Sequence, residues 1–153
     1  MRDMFKTVFK VTQDEDFLRC GGVSSQVAKA FAKGTGPGPD PSQLQWDFNH
    51  PASSAWNQAV ISQLMYLLAD MRQKWSVETR SDQYWVDKIT QKFTRIKRRV
   101  DKAKPHVHDD LSVETSADVA TRLVNEKDQA LMKARRDMRR RTVRNFDGPR
   151  STH

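Results

Sequence analysis

The stretch Ala55-Trp-Asn-Gln-Ala-Val-Ile-Ser-Gln-Leu-Met-Tyr-Leu-Leu-Ala-Asp-Met-Arg-Gln-Lys-Trp75, followed after a short break by Asp82-Gln-Tyr-Trp-Val-Asp-Lys-Ile-Thr-Gln-Lys-Phe-Thr-Arg-Ile-Lys-Arg-Arg-Val100, decides the fold. In the first half Trp56, Val60, Leu64, Leu67, Met71 and Trp75 recur at steps of three or four, the period of one helix face. In the second half Val86, Ile89, Phe93, Ile96 and Val100 do the same, giving a narrow stripe suited to packing along another helix. Ser53 or Ser54 can cap the first helix, and Thr79 or Ser81 the second, which should run to Pro105. The connection is short, so the two helices are antiparallel neighbours. A mainly α fold with a helical hairpin core, about 55–75 and 82–104, is expected.

Outward from the hairpin the signals are shorter. Phe5, Val8 and Phe9 suit one face of a helical turn, although Phe9 and Val11 also fit a strand. Val27, Ala30 and Phe31 share a face of a helix that Ser24 or Ser25 can cap and Gly34 can end. Gly34-Thr-Gly-Pro-Gly-Pro-Asp-Pro41 forbids regular structure, and without a Gly-Lys-Ser/Thr ending or a preceding strand it is a linker or turn, not a phosphate loop. Leu44, Trp46 and Phe48 alternate, as in a short extended segment that lays its aromatics on the helices. Beyond Pro105 a polar loop leads to Thr115 or Ser116, a cap for a third helix with Asp118 in its first turn. Val119, Leu123, Ala130, Ala134 and Met138 lie near one face, interrupted by Lys127 and Arg141, so this helix is weakly committed to a core. The expected organisation is an N-terminal region over 1–50, the hairpin over 51–105, an acidic loop and basic helix over 106–146, and a disordered tail over 147–153.

Composition limits the functions open to the chain. It has 153 residues, 37% hydrophobic and 30% charged, enough for one domain with a modest core. The single cysteine, Cys20, cannot form an internal disulfide, which suits a reducing compartment. No apolar run approaches a membrane span. Met1-Arg-Asp-Met-Phe-Lys-Thr-Val-Phe-Lys10 is mildly basic and amphipathic, but Asp14-Glu15-Asp16 follows at once, so it reads as a packing element and not as a transit peptide. The expected setting is nuclear or cytoplasmic, not secreted.

The formal net charge of +8 is uneven. Residues 1–55 are neutral, 56–104 carry +6, 105–128 carry −4 and 129–153 carry +6. On the second hairpin helix, Lys88, Lys92, Arg95, Arg99 and Lys102 form their own stripe beside the apolar one, with Tyr84 in line and Trp85 at the border. The absence of acids on that face suggests a rail for a phosphate backbone, with an aromatic to stack on a base or sugar; a solvated outer face is the alternative. In Lys133-Ala-Arg-Arg-Asp-Met-Arg-Arg-Arg-Thr-Val-Arg144, seven basic residues oppose one acid. Arg135, Arg136, Arg139, Arg140 and Arg141 spread round the helix, leaving no face to bury. A solvated arm that adds bidentate phosphate contacts, a nuclear import signal, or a helix continuing past the sequence would each look like this.

No Ser elbow, paired-carboxylate motif or dinucleotide fingerprint is present, so no catalytic or cofactor residue is assigned and no enzyme is expected. His106-Val-His-Asp-Asp110 holds ligand-type side chains without the further partners zinc needs, so it reads as a polar loop and no metal residue is assigned. Cys20 has no recognisable activating neighbour. The expected partner is DNA or RNA, with an acidic protein as the alternative, and the 86–100 stripe could also pair two copies of the chain.

Trp56 and Trp75, 19 residues apart on helices ending in a basic stretch, resemble the tryptophans of Myb/SANT-like and trihelix DNA-binding domains, although the helix over 82–104 has no internal turn. A second resemblance spans most of the chain. Met4-Phe-Lys-Thr-Val-Phe-Lys-Val-Thr-Gln13, Gly36-Pro-Gly-Pro-Asp-Pro41 with Leu44 and Trp46-Asp47, Ser54-Ala-Trp-Asn57, Tyr84-Trp85, Phe93 and Ala103-Lys-Pro105 are similar to a family of basidiomycete fungal proteins with no established activity. It implies a source and not a function.

Overall fold

The computed structural model describes residues 2–75 and 80–146, and its fold is mainly α-helical. The expected tail over 147–153 and Thr79 lie outside the described residues, as do the side chains of Trp75 and Arg144. The helices are α1 (Arg2–Phe9), α2 (Phe17–Cys20, entered through a 3-10 turn at Asp14–Asp16), α3 (Ser25–Ala32), α4 (Ala55–Trp75), α5 (Asp82–Lys102) and α6 (Ser116–Phe146). The chain divides into two compact units, Met1–Lys102 and Ala103–His153.

In the first unit the hairpin forms as its periodicity predicts. Near the end of α4, Arg72 pairs with Asp82 at 3.5 Å and lies over the Trp85 ring, both in the opening turns of α5. The Ser54 and Ser81 hydroxyls accept from the amides of Asn57 and Tyr84, so each helix opens on a serine. The inward face of α4 is Trp56, Val60, Ile61, Leu64 and Leu68, with Leu67 and Met71 half-buried. Ile61 and Leu68 widen the expected stripe, as befits a helix packed on two sides. On α5, Ile89, Phe93 and Ile96 are buried and Val86 and Val100 half-buried. That stripe packs against its own chain, with only Val86 and Val100 at its ends partly open.

Residues before the hairpin supply half of the core. Met4, Phe5, Val11, Phe17, Val23, Ala28, Leu44, Trp46 and Phe48 are all buried with the hairpin residues in one cluster. The alternating segment does what its pattern predicts without becoming a strand. Trp46 and Phe48 face α5, with ring centroids 4.7 Å and 6.1 Å from Phe93. Trp46 also packs on Phe5 and Phe9, and Phe48 on Phe17. On α3, Ala28 and not Val27 is the buried position, while Phe31 meets Trp56 edge-on. Gly34, at φ +73°, ends α3 with its amide on the Phe31 carbonyl and the next amide, Thr35, on Ala30, the paired bonds of a glycine helix stop. At Gly22 a Cβ would lie 2.6 Å from the Trp46 carbonyl oxygen, so only glycine lets the two backbones meet where Val23 N–H donates to that oxygen.

Between Trp46 and Phe48, Asp47 turns the other way, onto α4. Its backbone N–H donates to Asn57 Oδ1 at 2.9 Å, and Asn57 Nδ2 donates to the carbonyls of Asp47 and Pro51, both at 2.9 Å. Asn57 is fully buried. Removing it strands the buried amide and carbonyl of Asp47, each worth about 1–3 kcal/mol unsatisfied, while the Pro51 carbonyl keeps the Ser54 amide. Asn57→Ala should therefore lower unfolding stability by about 2–4 kcal/mol, whereas Gln58→Ala, one residue on and exposed, should stay within about 0.5 kcal/mol. Urea unfolding checks both, and a loss below about 1 kcal/mol for Asn57→Ala would contradict this account of the segment's anchoring.

Candidate nucleic-acid interface

Each basic cluster has its own structural setting. On α5 the face that lacks acids in sequence acquires them in space. Asp14-Glu15-Asp16 forms a tight turn in which Asp16 faces inward: its carboxylate accepts from Thr12 N–H, Thr12 Oγ1 and Gln13 N–H at 2.7, 2.7 and 3.0 Å. Those bonds, the Thr12 hydroxyl foremost, hold the Asp16 carboxyl below the usual range. With the turn braced, Asp14 and Glu15 reach α5. Asp14 pairs with Lys92 and, at 3.2 Å, with Arg95; Glu15 pairs with Arg99. Lys92 and Asp14 are both largely buried, and the Lys92 ammonium also lies over the Phe5 ring. Burial by itself would raise the Asp14 carboxyl, but the Lys92 hydrogen bond and the charges of Lys92, Arg95 and Arg99 outweigh it and leave it lowered.

The acid-free rail is thus corrected at three of its five positions, Lys92, Arg95 and Arg99, which bind the N-terminal turn of the same chain. Lys88, at one end, stacks on Tyr84, 5.4 Å from the ring centroid. Tyr84 is itself edge-on to Trp85 and has Arg80 on its ring as well. Lys102, at the other end, is exposed and engaged in a contact of its own. Lys97, outside the expected stripe, donates to the Phe48 carbonyl at 2.6 Å and pairs with Asp101 at 2.8 Å. A groove of about 490 Å³ runs beside these pairs, with Phe5, Val11 and Phe17 as its apolar lining.

In the second unit the loop expected to be merely polar is closed. Val107 and Val113 bridge antiparallel, and His106 and Glu114 exchange backbone and carboxylate bonds across its base. Arg122 of α6 grips the Glu114 carboxylate through Nε and an Nη at 2.9–3.2 Å and also donates to the Lys104 carbonyl. The Arg122 hydrogen bond, with the His106 amide behind it, lowers the Glu114 carboxyl to about 2. Thr115 and Asp118 cap α6 reciprocally. Among the described residues no group of three or more His, Cys, Asp or Glu is placed to hold a metal, so His106 and His108 stand without a ligand set.

From Lys127 to Thr142 the side chains of α6 are exposed, Asp137 partly so, and the basic run is helical. Arg135, Arg136, Arg139, Arg140 and Arg141 are all exposed and make no ion pair among the described residues. Successive residues stand about 100° apart, so these cations cover most of the circumference and leave one narrow arc to Leu131, Ala134 and Met138.

One polar constellation was not foreseen. His50 Nδ1 lies 2.6 Å from Asp47 Oδ2, on the turn anchored by Asn57. The pair has the form of an oriented imidazole, but Asp47 Oδ1 caps the Asn49 amide and its backbone is locked on Asn57, so its role is to fold the turn. The signal available in sequence was an acid flanked by two aromatics in an alternating segment. Among the described residues no helix is long and apolar enough to cross a membrane. Comparison with protein-family models, curated proteins and solved structures returns no match.

The ion pairs on α5 give a pH signature. A carboxyl held below its ordinary value of 3.8 stabilises the fold fully above that value, and the contribution is lost as pH falls through the lower, folded-state value. Asp14→Asn should therefore be less stable than wild type at neutral pH, with the gap closing only as pH drops below 3.8. Urea midpoints of the two proteins along a descending pH series measure it, and a gap that persisted unchanged into acid would contradict the pairing.

Proposed function

We propose that the chain is a non-enzymatic nucleic-acid-binding helical module, with contacts mainly to the phosphate backbone and weak sequence specificity. The observation that carries this reading is the state of Arg135, Arg136, Arg139, Arg140 and Arg141 on α6: they are exposed, helical and without an ion pair among the described residues, in a segment with seven basic residues and one acid. Arginine predominates there, which favours bidentate phosphate contact. Cations on most sides of a helix can follow a strand without reading bases, because backbone contacts position a protein and carry no sequence information directly. Lys88 and Lys102 of α5 add to the cationic surface of the first unit. Lys92, Arg95 and Arg99 contribute less, since a phosphate must displace Asp14 or Glu15 to reach them. The compartment that suits this activity is the nucleus. An acidic protein partner is the competing reading, and it would use the same α6 surface.

Each phosphate neutralised contributes about 0.9 to the slope of log affinity against log salt on duplex DNA. Titration of mixed-sequence duplex and single-stranded DNA at several salt concentrations should show binding at low salt that weakens steeply. Substituting Arg135, Arg136, Arg139, Arg140 and Arg141 together by Gln should reduce that slope by about 3–5, while Lys92→Gln should leave it within about 1 and instead lower stability. Absence of binding to either DNA or RNA at low salt would sink the proposal.

A further inference from the structure

We infer that α6 pairs with α6 of a second copy of the chain, antiparallel, through a seam of exposed apolar side chains that repeats every seven residues. Val124, Leu131 and Met138 are spaced by sevens and are 58%, 48% and 73% exposed. Ala120 and Ala134 occupy the alternate positions of the same 3,4 repeat, with Lys127 and Arg141 at the other two. This is the spacing by which two helices interlock, and the alanines let the axes approach. In the second unit Val119 is the sole buried hydrophobic residue among those described. A helix of 31 residues with so little burial draws its stability from packing of an apolar face, and this face is exposed among the described residues.

Charge selects the occupant and its direction. The helix is polarised: its first half holds three acids, Asp118, Glu126 and Asp128, against two bases, Arg122 and Lys127, and the basic residues from Lys133 onward crowd the second. A parallel pair would set one arginine cluster against the other, whereas an antiparallel pair lays each cluster beside the half of its neighbour that holds Glu126 and Asp128. The seam also has a register in which this works. With Leu131 opposite Ala134 of the second copy, Asp128 meets Arg135 along one edge and Lys127 reaches Asp137 along the other, each twice by symmetry. Asp128, Arg135, Lys127 and Asp137 make no ion pair with their own chain among the described residues. Three large apolar residues per helix make a small interface, below the roughly 1,200 Å² of a strong complex, so the dimer is weak and concentration-dependent.

The inference is independent of nucleic-acid binding, and its test contains none. Sedimentation equilibrium of the full chain, from micromolar to near-millimolar, should show a monomer–dimer equilibrium. Leu131→Glu, at an exposed site, should be monomeric throughout, with helical circular dichroism and the urea transition unchanged. Asp128→Arg and Arg135→Asp should each weaken dimerisation by about tenfold, as two attractive pairs become repulsive, and the double variant should recover to within about threefold of wild type. A wild-type monomer at every concentration, or a Leu131→Glu chain that still dimerises, would overturn the pairing. Failure of the double variant to recover would overturn the antiparallel register.

Discussion

The first unit depends on the burial of three consecutive residues, Trp46, Asp47 and Phe48. A chain can bury neighbours in this way only when it is extended between two surfaces, because successive side chains then point to opposite sides. Here one surface is Phe93 of α5, met by both aromatic rings, and the other is Asn57 of α4, met by the Asp47 backbone. The segment therefore ties the two arms of the hairpin together from outside. It also supplies the floor on which Phe5, Phe9 and Phe17 pack, so the region before residue 50 folds as part of the core. Lys97 closes the arrangement by donating to the Phe48 carbonyl, which no strand partner satisfies.

This packing assigns the charges on α5. Once Phe17 and Val11 are drawn into the core, the turn between them must pass over the outer face of α5, and its Asp14 and Glu15 lie against Lys92, Arg95 and Arg99. A stripe of cations at helical spacing is therefore, in this protein, largely the mating surface for an acidic turn. Arg135, Arg136, Arg139, Arg140 and Arg141 of α6 have no such partner among the described residues, which is why the proposed contact with nucleic acid is placed there.

Much of the fold was legible in sequence. The 3,4 steps from Trp56 to Met71 and from Val86 to Val100 locate α4 and α5, Ser24, Ser54 and Ser81 mark their own helix starts, and the alternation of Leu44, Trp46 and Phe48 predicts their burial. The 3,4 pattern also selects Ala30 and Val27 on α3, where Ala28 is in fact buried, because an eight-residue helix can rotate by one position without breaking any sequence rule. The candidate site was less legible. A helical wheel compares a residue only with its own helix, and the acids facing Lys92 and Arg99 lie 78 and 84 residues earlier. The clue was present in Asp14-Glu15-Asp16, three acids in an otherwise apolar and basic neighbourhood, but which of them turns inward depends on Thr12 and on the packing of Phe17. The Asp47–Asn57 anchor was hidden for the same reason: its partners are backbone groups, which sequence does not distinguish.

The central claim is that the charge of Lys92, Arg95 and Arg99 on α5 is structural and that the charge of the arginines from Arg135 to Arg141 on α6 is available to a polyanion. Backbone amide shifts of the full chain, followed while a short mixed-sequence DNA duplex is added at low salt, test it residue by residue. The account predicts perturbations concentrated between residues 133 and 144, with the amides of Lys92, Arg95, Arg99, Asp14 and Glu15 nearly unmoved. Strong perturbation of the 14–16 turn together with 92–99, and little in α6, would contradict it.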